Sequence, residues 1–309
     1  MKPDRQQPRP SDESYALARP AVPPTLSIRP MNYTTLINTD QLAQDLDNPD
    51  LVVFDCRHEL GNPAFGPEAY AASHLPGALF AHVDRDLSGR PNGKNGRHPL
   101  PDAEAFSAWL GSMGVDGHKQ VVAYDSAGGV YGSRLWWMLR WLGHDRVAVL
   151  DGGWDDWLRK GYPVASTVRR PVATKFTPRT RPLYVDTQFI LASLETGTTM
   201  IVDARSNDRY HGRNETIDPV GGHIPGAINR FFKENLSSDG RFKQAKQLRQ
   251  EFVELIGNTS PDRIVHQCGS GVSACHNLIA MEIAGLPGSR LYPGSWSEWV
   301  ADPSRPITT

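Results

Sequence analysis

The sequence predicts an α/β protein made of two copies of one domain, and three observations support this prediction. The chain has 309 residues, about twice the length of an average domain. Four short landmarks recur in the same order in both halves. Within each half, short apolar runs rich in β-branched residues alternate with helical stretches. That alternation is typical of a mostly parallel sheet flanked by helices.

The paired landmarks keep an almost constant separation, as expected for a duplicated domain. Asp55 pairs with Asp203, 148 residues later, and Trp154 pairs with Trp296, 142 residues later. The four pairs are Leu51–Arg57 with Met200–Arg205, His74–Ala78 with His223–Ala227, Val121–Asp125 with Ile264–Cys268, and Asp151–Trp154 with Pro293–Trp296.

Three runs in the first copy predict buried strands, because they are continuously apolar rather than alternating. These are Leu51–Phe54, Val121–Tyr124 and Val147–Leu150. Parallel strands buried on both faces have this pattern, so we expect a parallel sheet at the centre of each copy.

Helices are predicted between these strands. Asp40 is placed to cap a helix that continues through Leu46. Residues 103–113 put three large apolar side chains on one face, and residues 135–142 form an apolar helix that ends before Gly143.

The predicted domain boundaries follow from composition. We expect a flexible arm over residues 1–31, a first domain over 32–165, a linker over 166–182 and a second domain over 183–309. The first 30 residues carry seven prolines and no apolar stretch of secretory-signal length. A foldable pattern begins just after Met31, so we expect translation to start naturally at that residue and the arm to have no catalytic role. The linker is rich in proline and basic residues.

The composition excludes several classes of protein. Hydrophobic residues make up 39% of the chain, which is enough to bury real cores. Lys and Arg total 33 against 34 Asp and Glu, so there is no basic excess for nucleic acid. No apolar run approaches the ~18 residues of a membrane span. Three cysteines are too few for a disulfide scaffold, and we expect a reducing, cytoplasmic compartment.

The two copies differ most after their third landmark strand, where open α/β sheets bind ligands. The second copy has the loop Cys268-Gly269-Ser270-Gly271-Val272-Ser273 there, and a helix is predicted from near Val272. Backbone N–H groups and a helix N-terminus at such a loop favour the thiolate form of Cys268. The first copy has Asp125 at the matching position. A carboxylate cannot replace a sulfur nucleophile, so we expect the first copy to be inactive and to wall the cleft.

The repeat, the HxPGA and GxW landmarks, and the loop from Cys268 to Cys275 resemble the tandem-domain rhodanese family. The loop is most similar to the 3-mercaptopyruvate sulfurtransferase branch of that family. The resemblance covers roughly residues 33–309. It implies two tandem rhodanese-like domains, a site in the C-terminal domain at the interdomain cleft, and a persulfide carried on Cys268.

The resemblance also implies roles for further residues. Arg209 matches the arginine that binds the donor carboxylate in the family. A second arginine is expected before the HxPGA landmark, but Thr216 occupies that position, so Arg213 is the candidate substitute. His74 and Ser270 match a histidine–serine proton relay, with Glu59 or Glu68 as the acids available to orient His74. The loop residues that complete the expected donor site are Gly269, Gly271, Val272 and Ser273.

The expected reaction needs no cofactor and no metal ion. Cys268 and Cys275 are seven residues apart, unlike a zinc-binding pair. The residues after Cys268 are neutral, which favours mercaptopyruvate over the dianion thiosulfate as donor. The expected acceptors are cyanide, a small thiol or reduced thioredoxin, with neither nucleic acid nor membrane as a partner.

Other interpretations remain open or fail on particular residues. A thiosulfate sulfurtransferase and a non-catalytic rhodanese-fold binding module are the alternatives. A tyrosine-phosphatase-like enzyme needs Cys-x5-Arg, but Ala274 stands at the arginine position. Residues 89–95 are one residue short of a phosphate-binding P-loop and end in Asn.

Overall fold

Two parallel β-sheets, one in each half of the chain, form the framework of the protein. The computed structural model describes residues 30–309. The first sheet has the order β1-β5-β4-β2-β3. Its strands are β1 (Leu36–Ile37), β2 (Leu51–Asp55), β3 (Leu79–Phe80), β4 (Gln120–Tyr124) and β5 (Val147–Leu150). The second sheet has the order β7-β6-β8-β9, with β6 (Met200–Asp203), β7 (Ile228–Asn229), β8 (Ile264–Gln267) and β9 (Arg290–Leu291).

Helices separate the strands in both halves, and every strand pairing is parallel. The helices of the first half are α1 (Thr39–Asp45), α2 (Phe65–Ala72), α3 (Ala103–Ser112), α4 (Val130–Trp141) and α5 (Gly153–Arg159). Those of the second half are α6 (Thr187–Thr196), α7 (Asn207–Tyr210), α8 (Ala245–Ile256), α9 (Ala274–Ile283) and α10 (Ser295–Trp299). The predicted α/β class, with a parallel sheet and flanking helices in each copy, is confirmed.

The cap of α1 differs from the prediction. Asn38, not Asp40, is the N-cap residue, and its side chain accepts a hydrogen bond from the N–H of Gln41 at 2.9 Å. The Gln41 side chain accepts one from the Asn38 N–H in return, which completes a capping box. Asp40 lies in the first turn, where its charge suits the helix dipole.

The hydrophobic core has three parts. One cluster lies on the outer side of each sheet, and a larger third cluster contains residues of both domains. Helices α4 and α9, which follow the two corresponding loops, pack against each other in this shared core. The loop ahead of each helix is therefore held near the other domain.

The segment between the domains contains almost no regular structure but is not detached from the first domain. Between residues 166 and 182, the N–H of Thr174 donates to Gly111 and that of Arg181 donates to Trp141. Residues 1–29 of the predicted arm lie outside the described residues. Met31 is buried in the first core, and the compact unit begins there. Within residues 30–309, the helices are too short or too polar to cross a bilayer.

Two of the landmarks recur in both copies because together they form a buried ion pair that is covered by a tryptophan ring. Arg57 donates to Asp55 at 2.6 Å, and its guanidinium lies 4.1 Å from the centre of the Trp154 ring. The second domain repeats this arrangement with Arg205, Asp203 and Trp296, at 2.6 and 4.7 Å. Arginine suits this position because its planar group binds carboxylate and stacks on an aromatic ring at once.

In the first domain, backbone N–H groups of the loop that follows β4 surround the carboxylate of Asp125. One carboxylate oxygen of Asp125 accepts from the N–H groups of Ala127 and Gly129, at 2.7 and 2.9 Å. The other accepts from Tyr131 and Gly132, both at 2.8 Å. Burial raises the pKa of the Asp125 carboxyl group, and the four donors oppose that shift. The Asp125 carboxylate thus occupies the N–H donors of its own loop, so they are not available to a bound anion.

We expect Asp125→Asn to lower the free energy of unfolding by about 2 kcal/mol, because an amide NH2 cannot accept from the donors that one carboxylate oxygen now satisfies. Urea unfolding followed by circular dichroism measures this, and Asp47→Asn, at an exposed site, is the matched control. Equal midpoints for the two variants would contradict the structural role of Asp125.

Candidate active site between the domains

Cys268 lies directly after β8, at the carboxyl edge of the second sheet. The start of α10 holds its backbone: Cys268 N–H donates to Ser295 Oγ at 3.1 Å, and Cys268 O accepts from Trp296 N at 2.9 Å. Helix α9 begins at Ala274, two residues later than predicted. The side chain of Cys268 is 2% exposed, yet it lines a cleft of about 310 Å³ between the domains.

Gly271 is the residue that gives the loop its shape. Its φ is +76°, and a Cβ atom there would lie 2.3 Å from the carbonyl oxygen of Pro293. Only glycine tolerates both conditions. Gly271 does not line the cleft, whereas Gly269, Ser270, Val272 and Ser273 do. We predicted that Gly271 contacts the donor, but the structure instead gives this residue a role in shaping the loop.

A chain of hydrogen bonds connects the loop to the first domain. Ser270 Oγ lies 2.7 Å from His98 Nδ1, and His98 Nε2 lies 2.8 Å from Asp84 Oδ1. The hydrogen bond from His98 is the main cause that lowers the pKa of Asp84. Serine, histidine and aspartate in this order can move a proton to or from a group bound beside Cys268.

The prediction that His74 forms this relay is wrong. His74 is fully buried, its Nδ1 lies 2.7 Å from the carbonyl of Tyr70, and its Nε2 lies 3.2 Å from that of Thr167. Its ring stacks on Tyr70 at 4.1 Å. His223 of the second HxPGA landmark stacks on Tyr210 in the same way, at 3.8 Å. The landmark histidine is therefore a turn-stabilising residue in both domains, and neither Glu59 nor Glu68 is needed to orient it.

Two guanidinium groups meet above Gly269. A Cβ atom on Gly269 would lie 2.8 Å from Arg97 Nη2 and 3.6 Å from Arg209 Nη2. Arg209 is one of the predicted residues, and Arg97 comes from the first domain. Both line the cleft, where they can form paired hydrogen bonds with a carboxylate.

Two acidic residues hold these arginines in place. Glu215 accepts from Arg209 Nε at 2.9 Å, and Asp218 contacts both Arg97 and Arg209. Burial raises the pKa of Asp218. For Glu215, burial acts in the same direction, but hydrogen bonds from Arg209 and from backbone N–H groups outweigh it and lower the pKa.

Arg213 does not act as the second arginine, contrary to the prediction. It is exposed and does not line the cleft, while its backbone N–H donates to the carbonyl of Asp208 at 2.7 Å. Arg97 occupies the place that the sequence alone assigned to Arg213.

A buried arginine joins the cysteine loop to the relay. Arg134, from α4, donates to the carbonyl oxygens of Gly271 at 3.1 Å, His98 at 3.1 Å and Leu87 at 3.3 Å. Burial lowers its pKa, and nearby Cys275 and Cys268 oppose that shift. Among the described residues, no carboxylate forms an ion pair with this guanidinium.

The other two cysteines are placed differently from Cys268. Burial raises the pKa of Cys275 to about 12 and also raises that of Cys56. Cys275 Sγ lies 3.4 Å from the carbonyl oxygen of Gly271, beneath the loop. Both therefore remain protonated at neutral pH, and of the three only Cys268 lines the cleft.

Sequence reasoning missed Asp84, Arg97 and His98, which lie between β3 and α3. Within this stretch, residues 89–95 only resemble an incomplete P-loop, and the whole stretch has no periodicity that reveals which residues point into a cleft. The one available signal was the Arg97-His98 pair itself, a cation and a titratable ring side by side in a polar loop.

The chain matches known proteins along most of its length. The family model described as "Rhodanese-like domain" matches residues 38–160 and 187–302. The chain belongs to the rhodanese family. The probable 3-mercaptopyruvate sulfurtransferase of Pseudomonas aeruginosa is 44% identical, over 90% of this chain and 99% of that protein. Bovine thiosulfate sulfurtransferase is 34% identical, over 86% and 92%.

Two solved structures have a similar fold. The 3-mercaptopyruvate sulfurtransferase from Leishmania major superposes with a TM-score of 0.77 at 30% identity, covering 86% of this chain and 74% of that one. The Escherichia coli 3-mercaptopyruvate sulfotransferase superposes with a TM-score of 0.75 at 29% identity, covering 85% and 99%.

We expect Arg134→Met to lower the free energy of unfolding by about 3 kcal/mol, because it leaves three buried carbonyl oxygens without their donor. Urea unfolding monitored by tryptophan fluorescence measures the change. Arg170→Met removes an exposed arginine and is the matched control. A variant as stable as that control would contradict the bridging role of Arg134.

Proposed function

We propose that this rhodanese is a sulfurtransferase that takes sulfane sulfur from 3-mercaptopyruvate through a persulfide on Cys268. The observation that carries the proposal is the convergence, in one cleft, of the loop cysteine, the Ser270–His98–Asp84 relay and two arginines. The name of the relative from Pseudomonas aeruginosa supports the same donor.

The first half-reaction follows from this arrangement. The Cys268 thiolate attacks the donor sulfur; an S–S bond forms and the C–S bond of mercaptopyruvate breaks. The carbon fragment leaves as the enolate of pyruvate and must gain a proton. Ser270 supplies that proton and regains one through His98, whose positive charge Asp84 stabilises. Cys268 is left as a persulfide.

In the second half-reaction, an acceptor attacks the outer sulfur and Cys268 leaves as thiolate. Cyanide becomes thiocyanate, and a thiol or reduced thioredoxin becomes a persulfide. Such a two-step covalent route gives ping-pong kinetics. We propose a reducing compartment such as the cytoplasm for this reaction, because Cys268 must be a free thiol.

The charge balance of the cleft favours a singly charged donor. Arg97 and Arg209 are both already in contact with Asp218, and Arg209 also binds Glu215. The two cations are thus largely compensated, and Gly269 and Ser270 add no charge. A monoanionic keto acid fits this balance better than the thiosulfate dianion, which we propose as the weaker donor.

The persulfide can be observed directly. After incubation with mercaptopyruvate, the intact mass should rise by one sulfur, ~32 Da. Cys56→Ser should retain this adduct and Cys268→Ser should lose it. A non-catalytic rhodanese-fold module would give no adduct with any donor, and an adduct that survives in Cys268→Ser would reject the assigned nucleophile.

The relay should matter for one donor more than for the other. We expect Ser270→Ala and His98→Asn to reduce kcat with mercaptopyruvate by about 100-fold, since the enolate then lacks its proton source. Turnover of thiosulfate should fall far less, because sulfite leaves without needing a proton. His74→Asn is the control, and its ratio of the two activities should stay at the wild-type value. Equal losses with both donors would contradict the relay.

A further inference from the structure

A second cluster of side chains lies beside the cleft and shares only Asp84 with the proposed reaction. His58 follows β2, and His82 and Asp84 follow β3, so all three lie at the carboxyl edge of the first sheet. Their potential ligand atoms all lie within 4.8 Å of one another, and His82 Nδ1 is 4.0 Å from Asp84 Oδ2. His82 and Asp84 are two positions apart, but His58 lies 24 residues before His82, so the sequence spacing does not resemble a metal-binding motif.

The state of His58 is the observation that points to a ligand. Its side chain is only 8% exposed and lines the cleft. It makes edge-on ring contacts with Tyr131 at 5.0 Å and His82 at 6.0 Å. Within residues 30–309, neither of its ring nitrogens has a hydrogen-bond partner. These nitrogens are not sealed from solvent but are accessible from the cleft, where they are free to bind a ligand.

The donor set suits a divalent transition-metal ion. Two imidazoles and a carboxylate are typical ligands of zinc and of neighbouring first-row ions, with a further position open to water. Metal–ligand distances of about 2.1 Å place ligand atoms about 3.4 Å apart in a tetrahedron. The ligand atoms therefore need to approach one another by about 1 Å, so both imidazoles and the partly exposed Asp84 carboxylate must turn toward the ion.

We propose that His58, His82 and Asp84 bind a divalent transition-metal ion of the zinc type, and that this ion inhibits the enzyme through Asp84. Asp84 Oδ1 accepts the hydrogen bond of His98, while Oδ2 faces His82. An ion on Oδ2 turns the Asp84 carboxylate toward His82 and thereby removes the hydrogen-bond partner that orients His98. The inhibitory part rests on the proposed function, whereas binding itself does not.

Binding is tested with zinc alone, in competition with a chromophoric chelator. The Cys268→Ser protein is used so that the thiolate cannot act as a ligand. We expect one equivalent of Zn²⁺ to bind, and His58→Ala or His82→Ala in that background to weaken binding at least tenfold. His118→Ala, at an exposed site, should not change it. Circular dichroism checks that each variant is folded. If both cluster variants bind zinc as the His118 control does, the site is rejected.

The absorption spectrum of bound Co²⁺ tests the identity of the ligands independently. Co²⁺ added to Cys268→Ser should give d–d bands without a thiolate charge-transfer band, and His58→Ala should remove them. Persistence of the bands in His58→Ala would overturn the assigned ligand set.

The inhibitory coupling is tested on the enzyme with Cys268 intact. The readout is the ratio of mercaptopyruvate turnover with and without zinc, compared between the wild type and His58→Ala. We expect zinc to slow the wild type at least tenfold and to slow His58→Ala much less. Equal inhibition of both proteins would mean that zinc acts at Cys268, and would reject the coupling. If neither protein transfers sulfur even without zinc, the proposed function fails while the binding measurements still decide the site.

Discussion

The active site depends on the buried guanidinium of Arg134. It comes from the first domain and binds one carbonyl of the cysteine loop and two of the segment that carries Asp84 and His98. Burying a cation without a carboxylate partner is costly unless its donors are well satisfied. Two of the three acceptors belong to the first domain itself, and docking of the second domain adds the third, Gly271. The same contact fixes the distance between Ser270 and His98.

The equivalent loops around Asp125 and Cys268 can be compared directly. In the first domain, the Asp125 carboxylate accepts four backbone N–H bonds, so this loop conformation is a site for negative charge. The second domain has the same backbone connections, since Trp154 N donates to Asp125 O and Trp296 N donates to Cys268 O, both at 2.9 Å. At the equivalent position the second domain has Cys268, which lines the cleft; in the function proposed above, its sulfur takes the place of the structural carboxylate.

The sequence was sufficient wherever the signal was local or repeated. The parallel strands followed from continuous apolar runs such as Val147–Leu150, and the duplicated landmarks identified Cys268 and Asp125 as equivalent positions. Contacts between the domains cannot be predicted from the sequence pattern. The landmark pattern suggests His74 as the relay histidine, but this side chain stabilises the fold by stacking on Tyr70. His98 lies in a loop without periodicity, and only the packing of α4 on α9 brings that loop to Ser270.

Division of the site between the domains gives a reason for the duplication. The second domain supplies Cys268, Ser270 and Arg209, and among residues 30–309 the side-chain partner of Ser270 Oγ is His98 of the first domain. The first domain has the relay and Arg97, but its loop is closed by Asp125. Each domain therefore lacks what the other provides. A mutation that weakens docking should reduce proton delivery before it affects the sulfur nucleophile, because Cys268 is held by β8 and α10 of its own domain while His98 is not.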